Sequence, residues 1–178
     1  MRIRREKYLN DLIVRMGNGT IKVITGIRRC GKTYLVFTLF REYLRELGVP
    51  DDHVIEVALD DEANAALRDA RALYDHLNTR IGNDGTYYVL LDEAQYAITK
   101  KELRDVDTPP ALYGVLNGLL HRGNVDVYVT GSNSKMLSKD VLTEFRGRGD
   151  EVHVMPLSFS EFMQAFEGDR YEGWAEYV

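Results

Sequence analysis

The 178 residues carry 23 basic and 28 acidic side chains, a formal net charge of −5, with 44% hydrophobic and 29% charged positions; this suits one α/β domain with a buried core and excludes disordered, collagen-like and mucin-like chains. No run reaches the roughly 20 apolar residues that span a bilayer, and the charged start MRIRREKYLNDLIVRM is no signal peptide, so a cytoplasmic setting without a membrane partner is expected. A single cysteine, Cys30, cannot form an internal disulfide, and His53, His76, His121 and His153 lack ligand spacing, which leaves no structural metal site to expect.

In chain order, Arg2 to Met16 reads as an amphipathic helix, part of an N-terminal segment 1–20 packed on a core that runs 21–178. Its basic residues (Arg2, Arg4, Arg5, Lys7, Arg15) outnumber the acidic ones (Glu6, Asp11), which suits a solvated face; a local contact with nucleic acid or an acidic partner is the alternative. Strand-like runs at Ile21 to Thr25, His53 to Leu59, Tyr87 to Leu91, Val125 to Thr130 and Val152 to Met155 are short and mostly apolar, the pattern of strands buried on both faces. Between them lie two helical stripes: Val36, Phe40, Tyr43, Leu44 and Leu47, then Ala63, Ala66, Leu67, Ala70, Leu73, Tyr74 and Leu77. Strand alternating with helix predicts an α/β fold with a parallel sheet, right-handed crossovers and helices on both faces. After the last strand, Ser158 to Phe166 reads as a short helix.

Directly after the first strand, Gly26, Ile27, Arg28, Arg29, Cys30, Gly31, Lys32 and Thr33 fit GxxxxGK[ST] and run into a helix at Tyr34. The chemistry explains the residue types. Gly26 and Gly31 let backbone N–H groups turn inward around a phosphate, and the helix start adds partial positive charge. Lys32 reaches the β and γ phosphates as a point charge, and the Thr33 hydroxyl is a ligand for Mg²⁺. The nucleotide-binding set expected here is Gly26 through Tyr34. Cys30 stands where a thiol can become reactive, although a small side chain filling a crowded loop is the simpler reading. Arg28 and Arg29 either point to solvent or supplement the phosphate field.

The third strand ends Leu90, Leu91, Asp92, Glu93, delivering two carboxylates to the sheet edge where open α/β sheets bind ligands. Asp92 is the candidate metal residue beside Thr33, and Glu93 the candidate base for a water attacking the γ phosphate. Gln95 could orient water or lie on the surface. The fourth strand ends Thr130, Gly131, Ser132, Asn133, so Ser132 or Asn133 is placed to bond the γ phosphate or the water; ordinary turn chemistry is the alternative. Arg146 and Arg148 are either surface charges or reach a phosphate in a neighbouring subunit.

These motifs in this order resemble the AAA+ superfamily of P-loop ATPases, in particular a prokaryotic group that joins such a core to a C-terminal domain. ITGIRRCGKT (Ile24 to Thr33), LLDEAQ (Leu90 to Gln95), VTGSNSKMLS (Val129 to Ser138), FRGRG (Phe145 to Gly149) and PLSFSEF (Pro156 to Phe162) carry the resemblance. It implies a P-loop NTPase three-layer sandwich with a five-stranded parallel sheet of order 5-1-4-3-2, and ATP and Mg²⁺ as ligands. By the same resemblance Lys32, Glu93, Ser132 or Asn133, and Arg148 or Arg146 carry catalysis, the arginine acting as a finger between subunits of a homo-oligomer. AAA+ proteins continue into a helical lid with a second sensor, and nothing after Tyr171 is long enough to build one. Weak nucleotide binding and slow turnover by this chain alone are therefore expected. The implied activity is Mg²⁺-dependent ATP hydrolysis coupled to conformational change in a partner or attached domain; the alternative is a nucleotide-gated interaction switch with little turnover.

Overall fold

Successive side chains of a strand point to opposite sides, so an uninterrupted apolar run can be buried only between two layers of helices. The computed structural model, which describes residues 3–105, 108–132 and 149–178, resolves the runs into strands β1 (Ile21–Thr25), β2 (Val54–Ala58), β3 (Tyr87–Asp92), β4 (Val125–Thr130) and β5 (Gly149–His153). All neighbours pair in parallel, in the order β2-β3-β4-β1-β5. Read from the other edge, this is the expected 5-1-4-3-2.

Alternation sorts the strand residues into two cores. Val23, Val57, Val89, Leu91, Val127 and Val129 face α4 (Ala70–Arg80) and α5 (Ala111–Leu120), packing on Leu73, Leu77, Leu112, Leu116 and Leu119. Ile24, Leu90, Tyr128 and Val152 face the other way, onto Tyr8 and Leu12 of α1 (Glu6–Ile13) and onto the helix that follows the glycine loop. That helix has three parts: α2 (Lys32–Tyr34), a π-helical stretch (Leu35–Phe40) and α3 (Arg41–Glu46); it buries Leu35, Val36, Leu39, Phe40 and Leu44.

Several expectations shift. The first helix covers only Glu6–Ile13, and Arg5 at its N-terminal boundary is buried rather than solvated. The second stripe is not one helix but a 3₁₀ segment (Glu62–Arg68) and α4, divided at Asp69, whose extended backbone lets its carboxylate cap the Ala72 N–H at 2.9 Å. The last strand begins three residues earlier than its apolar content suggested, because its neighbour β1 supplies the pairing for Gly149 and Asp150. After α6 (Phe159–Phe162) comes a further helix, α7 (Arg170–Tyr177), opened by a reciprocal cap between Asp169 and Glu172. Trp174 of α7 meets Phe159 of α6 edge-on, with ring centroids 5.1 Å apart. Among the described residues no helix is long and apolar enough to cross a membrane.

Candidate functional site

The glycine loop joins β1 to α2 at the C-terminal edge of the sheet. Its glycines are sterically required: Gly26 has φ 148°, and a Cβ there would lie 2.3 Å from the Val154 carbonyl oxygen; Gly31 has φ 93°. Arg29 also adopts positive φ (66°), so the loop turns back on itself before the helix begins. Lys32 is almost fully buried, its ammonium donating to the carbonyls of Gly26 (3.1 Å) and Ile27 (3.0 Å) and approaching the Cys30 sulfur at 4.0 Å. Cys30 is buried within the bend. Ile27, Arg28 and Arg29 are exposed.

Strand parity brings the second half of the site to the loop. Asp92 and Leu90 share a face of β3, Thr130 and Tyr128 share the same face of β4, and that face is the one covered by α2. The Thr33 hydroxyl accordingly donates to Asp92 Oδ2 at 2.7 Å, and the Thr130 hydroxyl donates to Asp92 Oδ1. Asp92 is 2% exposed. Burial pushes its carboxyl up, the hydroxyls of Thr130 and Thr33 oppose this, and the charges of Glu93 and Asp60 add to it; the net direction is up from the ordinary carboxylate value. A buried acid that has two neutral donors and another acid beside it is short of positive charge. Its oxygens together with the Thr33 hydroxyl form the kind of donor set a hard cation such as Mg²⁺ takes when phosphate supplies the remaining ligands. Among the described residues no group of three or more His, Cys, Asp or Glu side chains could hold a metal.

Glu93 lies one residue beyond the strand in the left-handed region (φ 50°, ψ 49°), a strained setting for a side chain with a Cβ. Its backbone N–H donates to the Thr130 hydroxyl at 3.1 Å. Ser132 Oγ donates to both carboxylate oxygens, at 2.5 and 2.7 Å, and the Gln95 amide donates to Oε2. The other end of that amide, Gln95 Oε1, is buried without a partner among the described residues.

The structure thus brings Lys32, Thr33, Asp92, Glu93 and Ser132 to one edge of the sheet. Asn133, Arg146 and Arg148 lie outside the described residues. Tyr34 is half-buried and lines, with Ile3, Arg29, Gly31, Leu157 and Ala165, a cavity of about 330 Å³ beside the loop. Two contributors were not singled out by the sequence. Thr130 ties Asp92 to the Glu93 backbone, and its signal was parity: it stands at the end of β4, on the same face as Tyr128. Arg5 donates to the Cys30 carbonyl from behind the loop, and a run of several basic residues gives no hint of which one turns inward.

A family model described as AAA domain matches residues 18–163. An uncharacterised protein of Haemophilus influenzae is 30% identical over 164 residues, covering 92% of this chain and 38% of its own length. An uncharacterised protein of Methanocaldococcus jannaschii is 30% identical over 166 residues, covering 90% and 32%. The chain therefore spans about a third of the length of these curated relatives. Among solved structures, C. elegans PCH-2 superposes with a TM-score of 0.61 at 16% identity, over 90% of this chain and 46% of that one. Aeropyrum pernix ORC1 in complex with DNA gives 0.57 at 15%, over 99% and 50%, and AMPPCP-bound DnaA from Aquifex aeolicus 0.55 at 19%, over 95% and 53%. At these identities the likeness carries the fold alone.

Proposed function

This chain belongs to the AAA domain family, its match covering residues 18–163, and from that premise we propose that it binds ATP with Mg²⁺ at the Gly26–Thr33 loop and hydrolyses it. The conformational change that follows is delivered to a partner or an attached domain. One observation carries the reading: the hydroxyl of the loop's last residue, Thr33, meets the carboxylate that ends β3, Asp92, at 2.7 Å. Two motifs separated by 59 residues converge on one point, and that point has oxygen ligands and a deficit of positive charge.

In this reading the loop's backbone N–H groups receive the phosphates, and Lys32 exchanges the Gly26 and Ile27 carbonyls for phosphate oxygens. Thr33 and Asp92 hold the Mg²⁺, which neutralises charge on the transferring phosphoryl group when bound. The cavity beside Tyr34 and Leu157 receives the base. Glu93 takes the proton of the attacking water. To do so it gives up a hydrogen bond from Ser132 or Gln95, both of which now occupy its oxygens. Arg146 or Arg148 of a neighbouring copy supplies the finger that the sequence implies.

The grip on Glu93 also favours a second reading, a nucleotide-gated switch in which the base stays engaged and turnover is incidental. Nucleotide titration by calorimetry with and without Mg²⁺, repeated on Glu93→Gln with phosphate release measured in parallel, separates the two. Hydrolysis predicts retained ATP affinity and a loss of release of about 100-fold or more. An unaltered, very low rate in both chains supports the switch, and absence of Mg²⁺-dependent nucleotide binding defeats both.

A further inference from the structure

Arg5 is the largest fully buried side chain among the described residues. Its backbone is left-handed (φ 43°, ψ 43°), which for a residue with a Cβ costs about 1–2 kcal/mol, and burying a guanidinium is expensive unless it is fully hydrogen-bonded. Both costs are met by contacts on segments far apart in sequence. Nη1 donates to the Cys30 carbonyl inside the glycine loop at 2.5 Å, Nη2 donates to the Met155 carbonyl just past β5 at 2.7 Å, and Nε donates to Glu161 Oε1 in α6 at 3.2 Å. The Tyr8 ring lies against the guanidinium, 4.6 Å from its centre, and the Tyr8 hydroxyl accepts from the Met155 N–H.

A trans peptide points its C=O and the following N–H in opposite directions. With the Cys30 carbonyl held toward Arg5, the Gly31 N–H is turned away from it. Gly31 is also the position where a Cβ would crowd Arg5 Nη1, at 3.3 Å. We infer that Arg5 is a positioning residue for phosphate binding: it fixes the orientation of the Cys30–Gly31 peptide and, through the same guanidinium, links the loop to α6 and the helix packed on it. This rests on the proposed nucleotide-binding reading. Lysine cannot replace it, because an ammonium lacks the planar fork that reaches three acceptors in different directions.

The probe is inorganic tripolyphosphate with Mg²⁺, which engages the loop without occupying the base cavity, and the reporter is Trp174, the chain's one tryptophan. Binding is measured by calorimetry, and Trp174 emission is followed in the same titration. The unaltered chain binds and its emission changes. Arg5→Lys, checked as folded by circular dichroism, raises Kd about tenfold, the scale of one charge-assisted hydrogen bond, and loses the emission change at saturation. Glu161→Gln keeps the loop contact, holds Kd within about twofold and still loses much of the emission change, because the link to α6 is weakened. A folded Arg5→Lys chain with unchanged Kd and unchanged emission response overturns the inference. Should Arg5→Lys fail to fold, an undiminished Trp174 response in Glu161→Gln overturns it alone. Absence of binding by the unaltered chain defeats the nucleotide reading itself, and this inference with it.

Discussion

Two carboxylates are buried on the same face of the sheet, one at each end of its strands and about 13 Å apart along them, and they are satisfied in opposite ways. At the N-terminal end Asp126 of β4 takes an ion pair from Lys22 of β1, a hydrogen bond from the Tyr128 hydroxyl at 3.0 Å and another from the Gly17 N–H at 3.0 Å. Burial and the Asp126 carboxylate drive the Tyr128 phenol far up from its usual value, so it stays a donor. At the C-terminal end Asp92 takes only hydroxyls among the described residues, while the glycine loop's lysine, Lys32, is occupied by backbone carbonyls. Neither Asp92 nor Lys32 forms an ion pair among the described residues. One end has closed its electrostatic account within the chain, and the other has kept its positive and negative groups apart. The first arrangement serves stability; the second leaves both signs available to a ligand that carries phosphate and a cation together.

Substitutions at the two poles should therefore move different quantities. The largest effect is expected from Lys22→Met, which strands Asp126 in the interior: stability should fall by about 3–5 kcal/mol, read from the urea midpoint, while the ATP affinity of whatever remains folded is unchanged. Lys32→Ala should do the reverse. ATP affinity drops by about 2 kcal/mol, roughly thirtyfold, with the unfolding midpoint nearly where it was. Equal loss of stability from both lysines would erase the contrast.

Asp92→Asn sharpens it further, since removing a charge that no ion pair among the described residues compensates should stabilise the protein without ligand by about 1 kcal/mol at neutral pH while abolishing the effect of Mg²⁺ on nucleotide binding. The sign follows from linkage. Folding raises this carboxyl's pKa, so the unfolded chain releases the proton first, and stability declines as pH climbs from the ordinary carboxylate range through the raised value. The advantage of asparagine should accordingly fade as pH is lowered toward that range, which a pair of melting curves at several pH values would reveal. The smallest expected change is from Ser132→Ala, which frees Glu93 of a neutral hydrogen-bond donor: stability falls by less than about 1 kcal/mol, and the rate of phosphate release shifts by a few-fold. A rise in that rate would mark Ser132 as a restraint on the base, a fall as an aid to the water.

Much of the fold was legible because the signals are local. Apolar runs marked all five strands to within a few residues, and Gly26, Gly31, Lys32 and Thr33 had to stand at a bend before a helix, since only that geometry suits their backbone and chemistry. Elsewhere local reading fell short. The stripe from Ala63 to Leu77 looks continuous, yet Asp69 caps a new helix instead of extending the old one. The capping pair Asp169 and Glu172 was present in the sequence and opens α7, but a charged pair near aromatic residues does not by itself say that a helix will find Phe159 to pack against.

The chain by itself determined the strands, the loop and which acid ends β3, because strand periodicity and glycine stereochemistry are properties of neighbours in sequence, whereas the order of the strands came from the family resemblance. Tertiary structure alone decided which charges are matched inside the protein. Arg4 and Arg5 look equivalent as text, just as nothing in the run around Lys22 marks it for an ion pair, and only the approach of distant segments places Lys22 against a carboxylate and Arg5 against a carbonyl while Arg4 stays exposed. Electrostatic compensation acts across space at a few ångströms, a distance that sequence separation does not encode.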